Sequence, residues 1–246
     1  MKLEICVFSI TDAIIAMEGG ADRIELCASY VEGGITPSYA TILETFEFVD
    51  PEKIVVMIRP RGGNFIYNEH ELDVMKREIG FCKDIGVQNI IFGILDADGN
   101  LDEEKNSELI EMASPLHCTL QRAFDLTYDP FEALETAIQC GFRRILTSGQ
   151  EPSAFEGKQL IKELIAEAGT KIDILPGAGI TSKNAKELID FTGCTEIHTS
   201  AKMYLQPGSN ESNFQFRKNI YDFSNVTAVN INEVIALKEI INAYHL

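Results

Sequence analysis

Residues 3–27 of the chain are LEICVFSITDAIIAMEGGADRIELC, and this stretch decides the fold that the sequence predicts. Its ends, LEIC and IELC, are short and mostly apolar, as β-strands are, while TDAIIAMEGGAD between them has the pattern of a helix. A strand, a helix and a second strand predict a βαβ unit, whose two strands run parallel. Because side chains two residues apart on a strand share a face, two acids and two thiols should lie on one wall of the sheet. They are Glu4, Cys6, Glu25 and Cys27.

The same alternation of strand and helix continues along the chain. Eight apolar segments predict strands that are covered on both faces. They are Leu3–Val7, Arg23–Cys27, Ile54–Arg59, Asn89–Ile94, Cys118–Arg122, Arg143–Thr147, Lys171–Leu175 and Glu196–Thr199. The segments between and after them predict eight helices, which begin near Thr11 and near Pro37 and then cover Glu71–Ile85, Leu101–Ala113, Pro130–Cys140, Ser153–Ala168, Ser182–Phe191 and Asn232–Ala243.

This alternation predicts an α/β fold, a single-domain (β/α)8 TIM barrel over residues 1–246, with an irregular loop at 202–230 before the last helix. The alternative is a doubly wound open sheet. No GxGxxG motif follows an early strand, which counts against the dinucleotide-binding form of that fold.

Composition limits the partners. The chain has 38 acidic and 21 basic residues and a net charge of −17, which argues against nucleic acid and anionic membranes as partners. No run of apolar residues is long enough for a transmembrane helix. Six cysteines are scattered without a CxxC motif, and the start of the chain lacks a signal-peptide pattern. We therefore expect reduced thiols and a cytoplasmic location.

In a barrel of this kind the functional site lies at the C-terminal ends of the strands. Cys6 and Cys27 end the first two strands, and thiolates are soft ligands that select Cu(I) or zinc. His198, on the last predicted strand, could add a nitrogen ligand. The alternative is that both cysteines only fill space as small buried side chains.

A second group of residues at the strand ends predicts an anion site. Gly177 and Gly179 form a glycine-rich turn after the seventh strand, and Ser200 follows the eighth. Backbone N–H groups in such turns and at helix starts bind phosphate, and arginines add bidentate contacts. The arginines available for this role are Arg59, Arg61 and Arg122.

Catalysis at such an anion site would use acids and guanidinium groups at the same strand ends. The candidate catalytic residues are Glu4, Glu25, Arg59, Arg122 and Asp125. Glu4 and Glu25 could act as a paired acid and base, because neighbouring carboxylates separate each other's pKa values. Alternatively, they form buried ion pairs with Arg59 and Arg61. A third alternative is a scaffold without chemistry, in which these polar groups pair with one another.

Ten short strings in order along the chain carry a resemblance to a known family. They are LEIC, GGADRIELC, EGGITPS, MIRPRGG, ADGNLDEE, QRAFD, DPFEALE, RILTSGQ, GAGI and HTSA. Together they closely resemble the CutC family of copper homeostasis proteins over about Leu3 to Lys202. The resemblance implies a TIM barrel, a cytoplasmic location, homo-oligomers such as dimers or tetramers, and a Cu(I) site on the thiols of Cys6 and Cys27.

Four positions depart from the family pattern. Gln121 stands where the family usually has histidine, and Phe8 stands where it usually has aspartate. Ala178 in GAGI and Thr199 in HTSA stand where the family more commonly has GGGI and HGSA.

The favoured hypothesis is a cytosolic copper homeostasis protein that binds Cu(I) through Cys6 and Cys27. The alternative is a TIM-barrel enzyme that acts on a small phosphorylated or carboxylated metabolite.

The distance between the sulfurs of Cys6 and Cys27 tests the copper hypothesis. If they lie more than ~5 Å apart, the strands must move before both can bind one ion, because metal–sulfur bonds are near 2.3 Å.

Overall fold

The computed structural model describes residues 1–205 and 226–245. Eight parallel strands lie in the order β7-β6-β5-β4-β3-β2-β1-β8. Their bounds are β1 Lys2–Val7, β2 Arg23–Leu26, β3 Ile54–Met57, β4 Asn89–Phe92, β5 His117–Leu120, β6 Arg144–Thr147, β7 Asp173–Pro176 and β8 Glu196–Thr199. Gly177, directly after β7, packs against His198 of β8, so the first and last strands of this order are neighbours. The predicted barrel is confirmed.

A helix follows each of these strands along the chain. The helices are α1 Ile10–Glu18, α2 Tyr39–Phe46, α3 Glu69–Asp84, α4 Glu103–Ala113, α5 Pro130–Cys140, α6 Lys158–Ala168, α7 Ala185–Thr192 and α8 Ile231–Asn242. Short 3₁₀ helices cover Tyr30–Glu32, Pro51–Lys53, Arg122–Leu126 and Ala243–His245. Polar caps explain several starts: Ser9 and Ser38 accept backbone N–H groups of α1 and α2, and Asn68 forms a capping box with Glu71 of α3.

The segment predicted as an irregular loop, 202–230, differs from that prediction at both ends. Lys202–Leu205 forms β9 and Val226–Val229 forms β10, and the two pair as an antiparallel sheet. Both short segments are rich in β-branched or large apolar residues, which favour strands. Residues 206–225 lie outside the described part of the chain.

Alternation along the strands separates two cores. Leu3, Ile5 and Val7 of β1 are fully buried in the large cluster between the sheet and the helices. The alternate positions face the barrel interior, where a smaller apolar cluster contains Cys27, Val55, Met57, Ile91, Leu146 and Leu175, with Cys6 and Phe8 packed against it. The acids and thiols on β1 and β2 therefore lie inside the barrel, beside this small cluster.

A close backbone contact at the end of β6 generates a stability prediction. A Cβ added at Gly157, just before α6, would lie 2.0 Å from the carbonyl oxygen of Ser148, and backbone cannot yield as a side chain can. We expect Gly157→Ala to lower the free energy of unfolding by at least about 2 kcal/mol. Urea denaturation followed by circular dichroism measures this.

The matched control is Gly80→Ala in α3, where an added Cβ has no neighbour within 4 Å. It should raise the free energy of unfolding by about 0.5–1 kcal/mol, because alanine is the better helix former. Equal stabilities for the two variants would contradict the described packing at Gly157.

Candidate metal site

The two thiols of the first βαβ unit lie next to each other inside the barrel. The Sγ atoms of Cys6 and Cys27 are 3.9 Å apart, and Cys27 Sγ lies 3.5 Å from Oε2 of Glu25. Cys6 pairs with Glu25 in the parallel register of β1 and β2, which explains why the three groups meet. One ligand atom from each of them lies within 4.8 Å of the other two. This cluster is the candidate metal site.

The environment keeps both thiols protonated at neutral pH. The hydrogen bond with Cys27 and burial raise the pKa of Cys6 well above its usual value. Burial, with the nearby Glu25 carboxylate, raises the pKa of Cys27 to about 12. A metal ligand must be a thiolate, so an ion that binds here displaces the thiol protons.

Glu4 lies beneath the thiols in a network of buried charges. Its carboxylate accepts a hydrogen bond from Arg23 Nε, and its Oε1 lies 2.8 Å from Nδ1 of His198. Burial alone would raise the pKa of Glu4, but Arg23 and His198 together lower it to about 2. Glu4 is therefore an anion that is already paired.

His198 connects this network to the candidate metal site. Its Nδ1 faces Glu4, and its Nε2 lies 3.7 Å from Oε2 of Glu25. Burial would lower the pKa of His198, but the carboxylates of Glu25 and Glu4 raise it above the usual value. Both ring nitrogens thus face carboxylates, and the group of potential ligands among the described residues contains the two thiols and Glu25 but not His198.

Three residues in this network were not among the predicted site residues. Arg23 Nη2 donates to Oε2 of Glu196 at 2.6 Å, and Arg144 Nη1 lies 3.5 Å from both Glu4 and Glu196. Period-two alternation could have found two of them: Arg23 is two residues before Glu25, and Glu196 is two residues before His198. All three are the first residues of their strands, at the end of the barrel opposite the predicted site.

The predicted alternative, in which Glu4 and Glu25 form buried ion pairs with Arg59 and Arg61, is wrong. Arg59 donates to backbone carbonyls of Glu32, Gly34 and Gly63, and Arg61 pairs with Glu71. The reason is register: Glu25 pairs with Val55, which is four residues, or roughly 13 Å, from Arg59 along the strand direction.

The other predicted strand-end residues form separate contacts. Arg122 Nε lies 2.8 Å from Oδ2 of Asp125, and this carboxylate also accepts the backbone N–H and the hydroxyl of Ser148. The role of Arg122 and Asp125 in catalysis stays a prediction.

The glycine-rich turn after β7, which was predicted to bind an anion, makes contacts with other parts of the chain. Gly177 has no room for a side chain, because a Cβ there would lie 2.5 Å from Leu146 Cδ1, and Gly179 has φ of +70°. Ahead of α7, the backbone N–H and the hydroxyl of Ser182 both donate to the carboxylate of Glu233. A carboxylate of the chain itself thus occupies these donors, and anion binding by this turn stays a prediction.

Two cavities flank the polar interior. A small one of about 10 Å³ lies above the thiols, lined by Cys6, Phe8, Asp12, Tyr30, Ser200, Lys202, Thr227, Ala228 and Val229. A larger one of about 480 Å³ lies at the opposite end, lined by Met1, Lys2, Asp22, Asp173, Thr195 and Glu196. Cys6 is partly exposed and Cys27 is 1% exposed, so the small cavity gives access to Cys6 first.

Comparison with known proteins identifies the family. The model of the CutC family matches residues 1–203, most of the chain. The chain belongs to the CutC family. The resemblance found in the sequence is therefore confirmed.

Individual CutC relatives agree with this assignment. The chain is 44% identical over 215 residues to the "Copper homeostasis protein cutC homolog" of Mus musculus, covering 87% of this chain and 77% of the relative. A family protein CutC of Parabacteroides distasonis is 40% identical and covers 98% of both chains. The crystal structure of the putative copper homeostasis protein CutC from Streptococcus agalactiae is similar with a TM-score of 0.77 and 31% identity, covering 81% of this chain and 99% of that one.

Two of the departures of this CutC chain from the family pattern, Gln121 and Phe8, have defined places. Gln121 is buried, with Nε2 3.5 Å from the carbonyl oxygen of Gly93. Phe8 lines the small cavity and packs edge-on against Tyr30, with ring centroids 5.4 Å apart. Neither position belongs to the cluster of thiols and Glu25.

None of the helices in the described ranges has the length and apolar character needed to cross a membrane.

The buried carboxylate of Glu196 gives this CutC chain a predictable pH dependence. Burial raises its pKa from 4.5 to about 7, so its contribution to stability is complete below about pH 4.5 and is lost as the pH rises through 7. Relative to Glu196→Gln, the wild type should lose roughly 3 kcal/mol of unfolding free energy between about pH 5 and pH 8. Urea denaturation at both pH values measures the difference.

The control is Glu167→Gln, a change at an exposed position of α6. It should leave the pH dependence of stability the same as in the wild type. A pH dependence that is identical in all three proteins would contradict the raised pKa of Glu196.

Proposed function

We propose that this CutC-family protein is a cytosolic copper homeostasis protein that binds Cu(I) through Cys6 and Cys27 and contributes to copper handling. The observation that carries the proposal is the 3.9 Å separation of the two sulfurs inside the barrel. Thiolates are the protein ligands that soft Cu(I) prefers. The printed names of the relatives from Mus musculus and Homo sapiens, copper homeostasis protein cutC homologs, support the same function.

The sulfur geometry fits a shared ion. With metal–sulfur bonds near 2.3 Å, sulfurs 3.9 Å apart subtend an angle of ~116° at the ion. A linear arrangement needs ~4.6 Å between the sulfurs, an opening of about 0.7 Å. The strands therefore need no rearrangement for bent coordination and only a small one for linear coordination.

The remaining features of the proposal follow from the family and the chain. We propose one domain, a cytoplasmic location and a homo-oligomer, either a dimer or a tetramer. Exposed apolar side chains on β9 support an interface between copies, since Met203, Tyr204 and Leu205 are 40%, 59% and 43% exposed.

The test is anaerobic titration of the reduced protein with Cu(I) in competition with a chromophoric chelator. We expect the wild type to bind Cu(I) stoichiometrically and the Cys6→Ser/Cys27→Ser variant to lose tight binding, because hydroxyl groups do not replace soft thiolates. The chelator's absorbance reports both stoichiometry and affinity.

The matched control is Cys140→Ser, whose thiol donates to the carbonyl oxygen of Glu103 outside the metal site and can be replaced there by a hydroxyl. This variant should bind Cu(I) as the wild type does. Equal stoichiometry and affinity in the double variant would refute the assignment of the site.

A second candidate function is an enzyme acting on a small phosphorylated or carboxylated metabolite. Arg59 favours it: the side chain is 5% exposed and donates to three backbone carbonyls, and its buried Nε has no hydrogen-bond partner. No carboxylate within residues 1–205 and 226–245 forms a salt bridge with it. Its Nη groups already donate to carbonyls, so the unpartnered Nε–H is the group through which a ligand's carboxylate or phosphate would bind.

Thermal unfolding tests this second candidate. If Arg59 binds ligand anions, small phosphorylated or carboxylated compounds should raise the melting temperature of the wild type at constant ionic strength, and Arg59→Lys should reduce the shift. The control is Arg143→Lys, at an exposed position before β6, which should keep the full shift. Absence of any shift in the wild type would count against the enzyme.

A further inference from the structure

Glu25 has a buried oxygen that its surroundings do not satisfy. The side chain is 3% exposed, and Oε1 accepts no hydrogen bond from the described residues. Oε2 faces the thiol of Cys27 at 3.5 Å and Nε2 of His198 at 3.7 Å. A buried carboxylate with an unsatisfied oxygen is costly, so a positive ligand bound to the carboxylate of Glu25 would be stabilising.

Two of the distances in this cluster match tetrahedral coordination, and Cys6 Sγ lies within 4.8 Å of the Glu25 ligand oxygen. With zinc–sulfur bonds near 2.3 Å and zinc–oxygen bonds near 2.1 Å, tetrahedral angles place the sulfurs ~3.8 Å apart and a sulfur and an oxygen ~3.6 Å apart. The observed separations are 3.9 Å between the sulfurs and 3.5 Å between Cys27 Sγ and Glu25 Oε2. Linear coordination fits these positions less well, because it requires the sulfurs to separate.

Charge favours a divalent ion over a monovalent one at this set of ligands. Two thiolates and one carboxylate carry three negative charges, of which a divalent ion balances two and Cu(I) only one. Unbalanced charge inside a protein is costly. A carboxylate oxygen is also a poor ligand for soft Cu(I) but an ordinary one for Zn²⁺.

The structure offers a place for a fourth ligand and support for the third. The small cavity of about 10 Å³ is lined by Cys6 and has the size of about one water molecule. Behind Glu25, the imidazole of His198 is itself held by Glu4 at 2.8 Å. His198 Nε2 lies 3.7 Å from Oε2 of Glu25, so the imidazole faces this ligand as an electrostatic partner without a hydrogen bond to it.

We infer that the dithiol site also binds Zn²⁺, with Cys6, Cys27 and Glu25 as protein ligands and a water molecule in the fourth position. The inference uses the same two thiols as the proposed copper function and adds Glu25 as the residue that admits a divalent ion. Zinc binding and Cu(I) binding therefore differ in their dependence on Glu25.

The experiment compares two metals on the same reduced protein. Zn²⁺ and Cu(I) are each titrated against a competing chromophoric chelator in the wild type, in Glu25→Gln and in Cys6→Ser/Cys27→Ser. Because loss of an outer-shell partner alone costs ~10–100-fold in metal affinity, Glu25→Gln should weaken Zn²⁺ binding by at least about tenfold. Its Cu(I) affinity should not fall, since the thiolates remain and loss of the Glu25 charge makes them easier to deprotonate. The double cysteine variant should lose both metals.

A spectroscopic readout and a control complete the test. Co²⁺ substituted into the wild type should show the intense ligand-field bands of tetrahedral coordination together with a thiolate charge-transfer band, and Glu25→Gln should lose the tetrahedral intensity. Glu78→Gln is the control, since Glu78 is a partly buried carboxylate that accepts the hydroxyl of Thr36 away from the site. It should bind both metals as the wild type does.

The outcomes separate this inference from the proposed function. Cu(I) binding without Zn²⁺ binding would overturn the inference and leave the copper proposal standing. Zn²⁺ binding that is unchanged in Glu25→Gln would also overturn it. Zn²⁺ binding that requires Glu25, without Cu(I) binding, would support the inference and refute the copper proposal.

Discussion

The pairing of Arg23 with Glu4 inside the barrel is the interaction on which the rest of the interior depends. Barrel interiors are usually filled by apolar layers, but here Glu4 and Glu196 are buried and share Arg23, with Arg144 at 3.5 Å from both. Removing one partner of such a group would leave an uncompensated buried charge, a loss of ~3–5 kcal/mol. Because Arg23 balances the charge of Glu4, this carboxylate can also form a hydrogen bond with Nδ1 of His198. The other ring nitrogen of His198 faces Glu25 beside the thiols.

Much of the fold followed from local sequence patterns. Eight apolar segments gave the eight barrel strands in order, and the spacing of LEIC and IELC placed the two thiols next to each other, because one βαβ unit makes its strands neighbours. The pairing of β9 with β10 was not predicted, since it joins residues 21 to 27 positions apart, too far for the two-residue hairpin signals that a sequence shows.

The polar contacts of the site were harder to predict than its position. Alternation indicates which residues face inward, but not which inward residues reach each other. That depends on the relative register of neighbouring strands, which placed Arg59 too far along to meet Glu25 and brought Arg23 to Glu4. The partnership of His198 with Glu4 also depends on barrel closure, because β8 and β1 are far apart in sequence and adjacent in space.

The unequal exposure of the two thiols has a consequence for the kinetics of exchange. Cys6 borders the small cavity, whereas Cys27 is enclosed with Glu25 behind it. A thiophilic ion arriving from the mouth meets Cys6 before Cys27, and a competing thiol from outside attacks from the Cys6 side. For the proposed metal site, this order would favour loading and unloading by replacement of one sulfur ligand at a time, beginning at Cys6.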